Sequence, residues 1–422
     1  MSTASVAETA KVAAGVVLPS IAEGVIKRRP TVLRAAQLLQ LDRPSVRMME
    51  RLRDKHGGRP LRLQVPGRSV TLALTAEDVA TVLAGAPVPF SPSTVEKDAA
   101  LGHFQPHGVL ISDPARRAGR RRFNEEVLEP GKALHQLAAP LREVIVDEAA
   151  ALRRSPTLSW DTFAQGWWRL VRRVVFGKAA QDDHTVTDLL ARLRLDANWA
   201  YLHRRRDGLR EEFTRRLNEH LARAEPGSLA EVIAEVDGET PAADQVAHWL
   251  FAFDAAAMVA FRTLALLASH PEAARTAAGD ASPELAYLRA CALESVRLWP
   301  TTPMLLRETT HDTAWGPAGT TILVFTPFFH RDRARLSYAD NFTPAIWLDG
   351  RAAAEPALVP FSAGPAICPG RDLVLFTVST LLSELLRERE YRDPAATLSP
   401  ADPLPATLDP FHLKFTAHRA GE

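Results

Sequence analysis

Cysteine is nearly absent: Cys291 and Cys368 are the only two in 422 residues. So few thiols fit a reducing compartment, and no disulfide framework can be built from them. A disulfide between the two is not expected, because Cys291 lies in a helical pattern far upstream of Cys368. An excess of one charge is also lacking, since 51 basic and 50 acidic residues leave a net +1. Nucleic acid is therefore not an expected partner. No apolar run qualifies as the roughly 20-residue span of a membrane helix. The N-terminal stretch from Met1 to Pro30 lacks the basic start and small-residue cleavage site of a signal peptide. These absences predict a soluble, cytoplasmic protein that does not use a membrane. Lysine is scarce beside arginine, as in a GC-rich genome. What remains is ordinary: 46% hydrophobic and 24% charged residues argue against disorder.

The patterning predicts a mainly α protein with a small β portion. Residues 59–75, RPLRLQVPGRSVTLALT, alternate on both sides of Pro66-Gly67, a hairpin signal. Thr75 with Asp78 three residues on forms a capping box for a helix. From about residue 114 to 290 the chain reads as nearly continuous helix, broken at EPGK and AEPGS. Strand patterns return near 304–308, 318–326 and the C-terminal PFHLKFTAHRA. Chain length alone suggests two or three domains, although some large enzyme folds are single units. The expected organisation is an N-terminal extension, 1–29, followed by one large helical body, 30–422. Its β-hairpin and sheet lie near the N-terminus and in the C-terminal third.

Three stretches carry chemistry. The first, TPAADQVAHWLFAFDAAAMVAFRTLALLASHPE, predicts a helix with Thr240 as N-cap and Pro241 at its first position. It is apolar on nearly every side, so it crosses the interior. Asp254 sits within it, where a carboxylate is costly unless paired, hydrated or protonated. Asp254 is either an ion-paired or edge-facing residue or a proton-handling group. The second stretch places Glu294 and Arg297 three apart on one helix face, ahead of Arg307 on a strand. The third, PFSAGPAICPGRDLVLF, sets Cys368 just before a helix. On its own that thiol is a buried inert group, a nucleophile or a metal ligand.

The order of these pieces resembles the cytochrome P450 family over nearly the whole chain, from about residue 30. Phe361, Gly364, Cys368 and Gly370 match its cysteine loop, and Glu294 with Arg297 matches its E-x-x-R pair. GVLISDPARRAGRRRF is similar to the segment that enters the helix contacting the haem propionates. The resemblance implies the cytochrome P450 fold, with haem b held through Cys368 as axial thiolate. It also implies that Gly364 and Gly370 let the backbone pass close to the porphyrin. Propionate partners would be Arg307, then Arg121, then Arg117, with His107 or His103 as alternatives. Arg116, Arg120 and Arg122 would be a solvated basic face. Phe104, Phe251 and Leu305 would face the substrate. The implied activity is that of a soluble bacterial, actinobacterial monooxygenase, a monomer oxidising a small organic natural-product intermediate. A ferredoxin or flavodoxin-type donor would supply its electrons.

Three departures from the family pattern bear on that reading. Ala366 stands where a basic residue usually precedes the cysteine by two. Ile346 and Trp347 stand where an arginine commonly joins the E-x-x-R pair, so Arg351 or a backbone group is expected to substitute. On the crossing helix, Asp254 is kept but Ala255 replaces the usual threonine, whose hydroxyl helps deliver protons. A substrate hydroxyl or ordered water would then take its place. The alternatives are a peroxide-driven peroxygenase, an oxidative coupling enzyme, and a non-catalytic haem-binding protein.

Overall fold

The alternating stretch after residue 59 forms the predicted hairpin: in its first strand Leu61 and Leu63 are buried while Arg62 and Gln64 face water, and Leu72 of the second strand is buried. A computed structural model describes residues 1–419. The strands are β1 (Ser2–Thr3), β2 (Leu61–Val65), β3 (Arg68–Leu72), β4 (Phe90–Ser91), β5 (Thr157–Ser159), β6 (Met304–Thr309), β7 (Thr321–Phe325), β8 (Arg389–Arg392) and β9 (Lys414–Arg419). The helices that position functional side chains are α1 (Ala76–Ala84), α2 (Pro114–Leu128), α3 (Trp160–Phe176), α4 (His184–Ala197), α5 (Ala242–Ser269), α6 (Ala286–Leu298) and α7 (Arg371–Leu386). Helix makes up 54% of the protein and strand 10%, which settles the class as mainly α.

Contacts divide the chain into two interleaved compact units. Unit one comprises Met1–Glu96, Leu293–Cys368 and Ala401–Asp409. It holds a six-stranded sheet of order β1-β2-β3-β7-β6-β4. In the hairpin, Leu61 lies opposite Leu72 and Val65 opposite Arg68. Gly67 in the turn has φ +69°, a left-handed conformation that glycine adopts without cost. Thr75 caps α1 as expected: its hydroxyl accepts from the Asp78 amide at 3.1 Å, and Asp78 accepts from the Thr75 amide at 3.0 Å. Residues 1–29, expected as an extension, belong to this unit. β1 runs parallel to β2, and Val12 and Val16 are buried in the unit's core.

Unit two comprises Lys97–Ala292, Pro369–Pro400 and Pro410–Glu422. Its sheet has the order β5-β9-β8. Helix α5 is the long apolar helix of the sequence, but it begins one residue later than predicted. Pro241 is the cap residue, with ψ 96°, and Thr240 makes no cap. A residue before proline is disfavoured in the helical region, which keeps Thr240 outside. By length and composition α5 could cross a membrane, contrary to the sequence expectation that no stretch qualifies, yet 78% of its most apolar window is buried within the protein. Aromatic residues hold it there. Phe261 packs on Trp160 and Phe163 of α3 with ring centroids 5.6 and 4.8 Å apart. Trp167 of α3 donates its indole N–H to the carbonyl of Phe253 at 2.9 Å, which pins α5 beside Asp254. Such rings add about 0.5–1.5 kcal/mol per pair beyond their buried area.

Candidate functional site

In unit one the cysteine loop is shaped by two left-handed residues, Ser362 at φ +63° and Gly364 at φ +65°. The Cys368 amide donates to the Phe361 carbonyl at 3.0 Å, closing the loop. A Cβ at Gly364 would lie 2.3 Å from the Leu83 carbonyl oxygen of α1. The protein's own packing therefore demands glycine there, whatever else approaches the loop. Gly370 differs: a Cβ there would meet only Leu128 Cδ1, at 3.8 Å, so no protein group needs the glycine. Phe361, Ile367, Cys368 and Gly370 are all partly exposed, and Cys368 forms no disulfide. Arg307 of β6 is buried and reaches this loop. Its guanidinium donates to Ser362 Oγ and to the Leu306 carbonyl, each at 2.9 Å. Leu305, two residues before Arg307 on β6, is partly exposed.

Glu294 and Arg297 of α6 have no exposed side-chain surface. Arg297 donates Nε and Nη2 to the two Glu294 oxygens at 2.8 and 2.6 Å. Its remaining donors go to the carbonyls of His330, Ala339 and Asn341 at 2.8–2.9 Å and, more weakly, Tyr338. Glu294 also accepts from the Thr343 amide at 2.9 Å and from the Trp347 indole N–H at 3.0 Å. Trp347 thus occupies the place of the missing arginine as a neutral donor, with a backbone amide beside it. Arg351 does not reach the pair by hydrogen bonding. It bonds Asp349 at 2.7 Å and lies over the Tyr338 ring.

His330, whose carbonyl serves Arg297, accepts the Val359 amide on Nε2 at 3.1 Å. Burial and the neighbouring Arg297 push its pKa down to about 3, so it stays neutral in the folded protein. The unfolded chain takes up that proton below about pH 6.5. Unfolding stability is therefore expected to fall steadily from about pH 6.5 toward pH 3, at up to about 1.4 kcal/mol per pH unit for each such histidine. Urea unfolding of the wild type and His330→Gln across that range checks this. An unchanged slope in the variant would refute the assignment.

Unit two presents the crossing helix. On α5 the partly exposed positions include His248, Phe251, Ala252, Asp254 and Ala255, while Trp249, Leu250 and Phe253 are buried. The run His248, Phe251, Ala252, Ala255 keeps helical spacing, so it is one open stripe. Asp254 is ion-paired: its Oδ2 accepts from Arg194 Nη2 of α4 at 2.6 Å. The Arg194 side chain is 3% exposed and that of Asp254 21%. The guanidinium also lies over the Phe251 ring at 5.1 Å. Phe104 meets Phe251 edge-on at 5.8 Å. No hydroxyl on α5 replaces the one absent at Ala255, because Thr263 donates its own to the Val259 carbonyl at 2.7 Å.

The α2 arginines divide. Arg116 and Arg122 are exposed, whereas Arg117 and Arg120 are buried, so Arg120 leaves the expected solvated face. Its Nη1 donates to Ser112 Oγ at 2.7 Å. Arg117 donates to the Val109 carbonyl at 3.0 Å. Burial, then the charge of Arg121, lower its pKa to about 10. Arg121 pairs with Glu125 at 2.6 Å. His107 is exposed, and its backbone is held by the first turn of α5: its amide donates to Asp244 and its carbonyl accepts from Gln245. Gln245 also bonds the Val109 amide and Asn124, a staple that sequence reading missed because amide side chains carry no pattern.

These residues fit a haem. A Cβ at Gly370 would meet only Leu128, Cys368 is partly exposed, and a buried guanidinium stands against the cysteine loop. Among the described residues no group of three or more His, Cys, Asp and Glu could hold a metal ion. Haem iron held by one thiolate needs no such group.

Comparison with known proteins gives a consistent result. Residues 258–406 match the family model for cytochrome P450. A 174-residue segment is 32% identical to cyclooctat-9-en-7-ol 5-monooxygenase of Streptomyces melanosporofaciens, covering 36% of this chain and 37% of that protein. A 119-residue segment is 35% identical to cytochrome P450 4g15 of Drosophila melanogaster, covering 26% of this chain and 21% of that protein. Cytochrome P450 714C1 of Oryza sativa is 31% identical over 172 residues, 37% of this chain and 34% of that protein. The chain thus spans only about a fifth to a third of the length of these relatives.

Proposed function

The chain belongs to the cytochrome P450 family, and from that premise we propose that it is a haem-thiolate monooxygenase with Cys368 as the axial ligand. The observation that carries this is the partly exposed Cys368 of a loop shaped by Gly364, with buried Arg307 bonded to the same loop. The haem, when bound, supplies the oxidising power for inserting an oxygen atom into an unactivated carbon–hydrogen bond. The rest falls to the protein's own groups. Arg307 of unit one, and Arg121 and Arg117 of unit two, are the guanidinium groups that would hold the propionates as carboxylate partners. Burial and Arg121 both penalise the charge on Arg117, and an anion beside it would relieve that penalty. Phe104 and Phe251, which meet edge-on, are an apolar face for substrate in unit two, and Leu305 is the corresponding candidate in unit one. Asp254, tied to Arg194, is the ionisable group of α5 next to Ala255. It holds or passes a proton there, with a water or a substrate hydroxyl standing in for the absent threonine.

The substrate is a small organic molecule of the natural-product kind. The name of the Streptomyces relative gives a cyclic alcohol as what that protein acts on. Electrons come from a ferredoxin or flavodoxin-type donor, which exposed Arg116 and Arg122 would steer if it is acidic. We place the protein in the cytoplasm as a monomer. One observation favours a second reading, in which peroxide is the oxidant: Ala255 has no hydroxyl and that of Thr263 is committed to its own helix.

The test is the absorption spectrum of the reduced, carbon monoxide-saturated protein beside Cys368→Ser. A strongly red-shifted Soret band that the variant loses is expected. A band at the position of histidine ligation, or no haem, would overturn the assignment. Turnover by hydrogen peroxide alone would select the second reading.

A further inference from the structure

The open stripe of α5 carries one polar ring. His248 is partly exposed between buried Ala247 and Trp249. Its Nδ1 lies 2.9 Å from Nε2 of Gln105, a residue with no exposed surface. With the amide in this orientation Nε2 of Gln105 donates, which assigns Nδ1 as acceptor and the ring proton to Nε2. Gln105 holds this geometry while its own Oε1 stays buried without a hydrogen-bond partner. Burial pushes the pKa of His248 down to about 4, and the ring is neutral at physiological pH. Phe251 meets it edge-on at 5.8 Å, and Phe104 continues that aromatic wall. Nε2 has no hydrogen-bond partner among the described residues. It is thus a neutral, oriented donor in an apolar wall, the arrangement that selects a ligand by one polar contact.

Its distance from Ala255 sets the size of that ligand. Seven residues are almost two helical turns, so the two positions share a face and stand about 10 Å apart along the axis. We infer that His248 is a specificity-determining residue that donates Nε2–H to a hydroxyl or carbonyl oxygen of the substrate, about 10 Å from the carbon that is oxidised. The substrate class is then a terpenoid- or steroid-sized apolar skeleton with one oxygen at its far end. Gln105 is a positioning residue that fixes the tautomer. The inference rests on the proposed function, in which Ala255 lies beside the reacting carbon.

Equilibrium dialysis of the holoenzyme against 5α-androstan-3-one and 5α-androstane tests it, the two probes differing only in the acceptor oxygen. Wild type is expected to bind the ketone about tenfold or more tighter than the hydrocarbon. His248→Phe should erase that preference by weakening only the ketone, and His248→Gln should restore part of it. The second measurement is 15N NMR of histidine-labelled wild type and Gln105→Leu. A neutral Nε2–H tautomer of His248 that persists to pH 5 and is lost in Gln105→Leu is expected. Equal affinities, no binding of either probe, or an Nδ1–H tautomer would each overturn the inference. The carbon monoxide spectrum of the same samples separates the two ideas. A missing thiolate band with the ketone preference intact would fail the haem assignment alone, and the converse would fail His248 alone.

Discussion

Arg297→Ala is expected to cost about 3–5 kcal/mol of stability and to empty the protein of haem. The reason is the number of groups it orphans. Glu294 has no exposed surface and would be left with only the Thr343 amide and the Trp347 indole for partners. The carbonyls of His330, Ala339 and Asn341 would lose their donors at the same time. Those residues lie on the stretch of unit one that leads into the cysteine loop, so the damage reaches Cys368 along the chain. Arg297→Lys should recover little, since a point ammonium cannot replace a planar fork with five donors. Trp347→Phe removes a single neutral donor to a carboxylate and should cost about 1.5–3 kcal/mol. Urea midpoints and haem content after purification read all three. An Arg297→Ala protein within about 0.5 kcal/mol of wild type would mean that water replaces the guanidinium, and the pair would lose its structural standing.

The parts of the molecule that could be read in advance are those whose cause is local. The hairpin follows from alternation around Pro66-Gly67, and the α1 cap from Thr75 and Asp78 three residues apart. The register of Glu294 and Arg297 on one face needs only the helical repeat. What escaped reading are choices of partner across long separations. Arg194 and Asp254 stand 60 residues apart, and Gln105 and His248 stand 143 apart. No spacing rule connects them. Trp347 shows a different limit. The expected substitutes for the missing arginine are Arg351 or a backbone group, and the Thr343 amide is such a group, but the indole beside it is not foreseen. The pair needed a hydrogen-bond donor, and an indole supplies one without charge. Gly364 shows that the right residue can have another cause, since the Leu83 carbonyl already excludes a side chain there.

Asp254→Asn is expected to lower dioxygen-driven turnover about 10²–10⁴-fold, the usual worth of a positioned proton-transfer group. Peroxide-driven turnover should fall far less, because peroxide brings its own protons. The argument begins with what α5 lacks. Ala255 offers no hydroxyl and Thr263 spends its own within the helix. Asp254 is then the acid next to that position, and Trp167 fixes the backbone beside it through the Phe253 carbonyl. The ion pair complicates the test, since Asn would also leave the buried Arg194 guanidinium without its carboxylate. Stability should therefore drop as well, by up to about 3–5 kcal/mol if the pair behaves as fully buried. Arg194→Met separates the two effects. It breaks the pair but keeps the carboxylate, and the Arg194→Met/Asp254→Asn double variant removes both charges. The double variant should regain stability relative to Asp254→Asn and yet remain as slow with dioxygen, because packing is restored and the proton carrier is not. If the double variant instead recovers dioxygen turnover, the carboxylate serves only to neutralise Arg194, and the proton must reach the site through a substrate hydroxyl or a water that α5 does not supply.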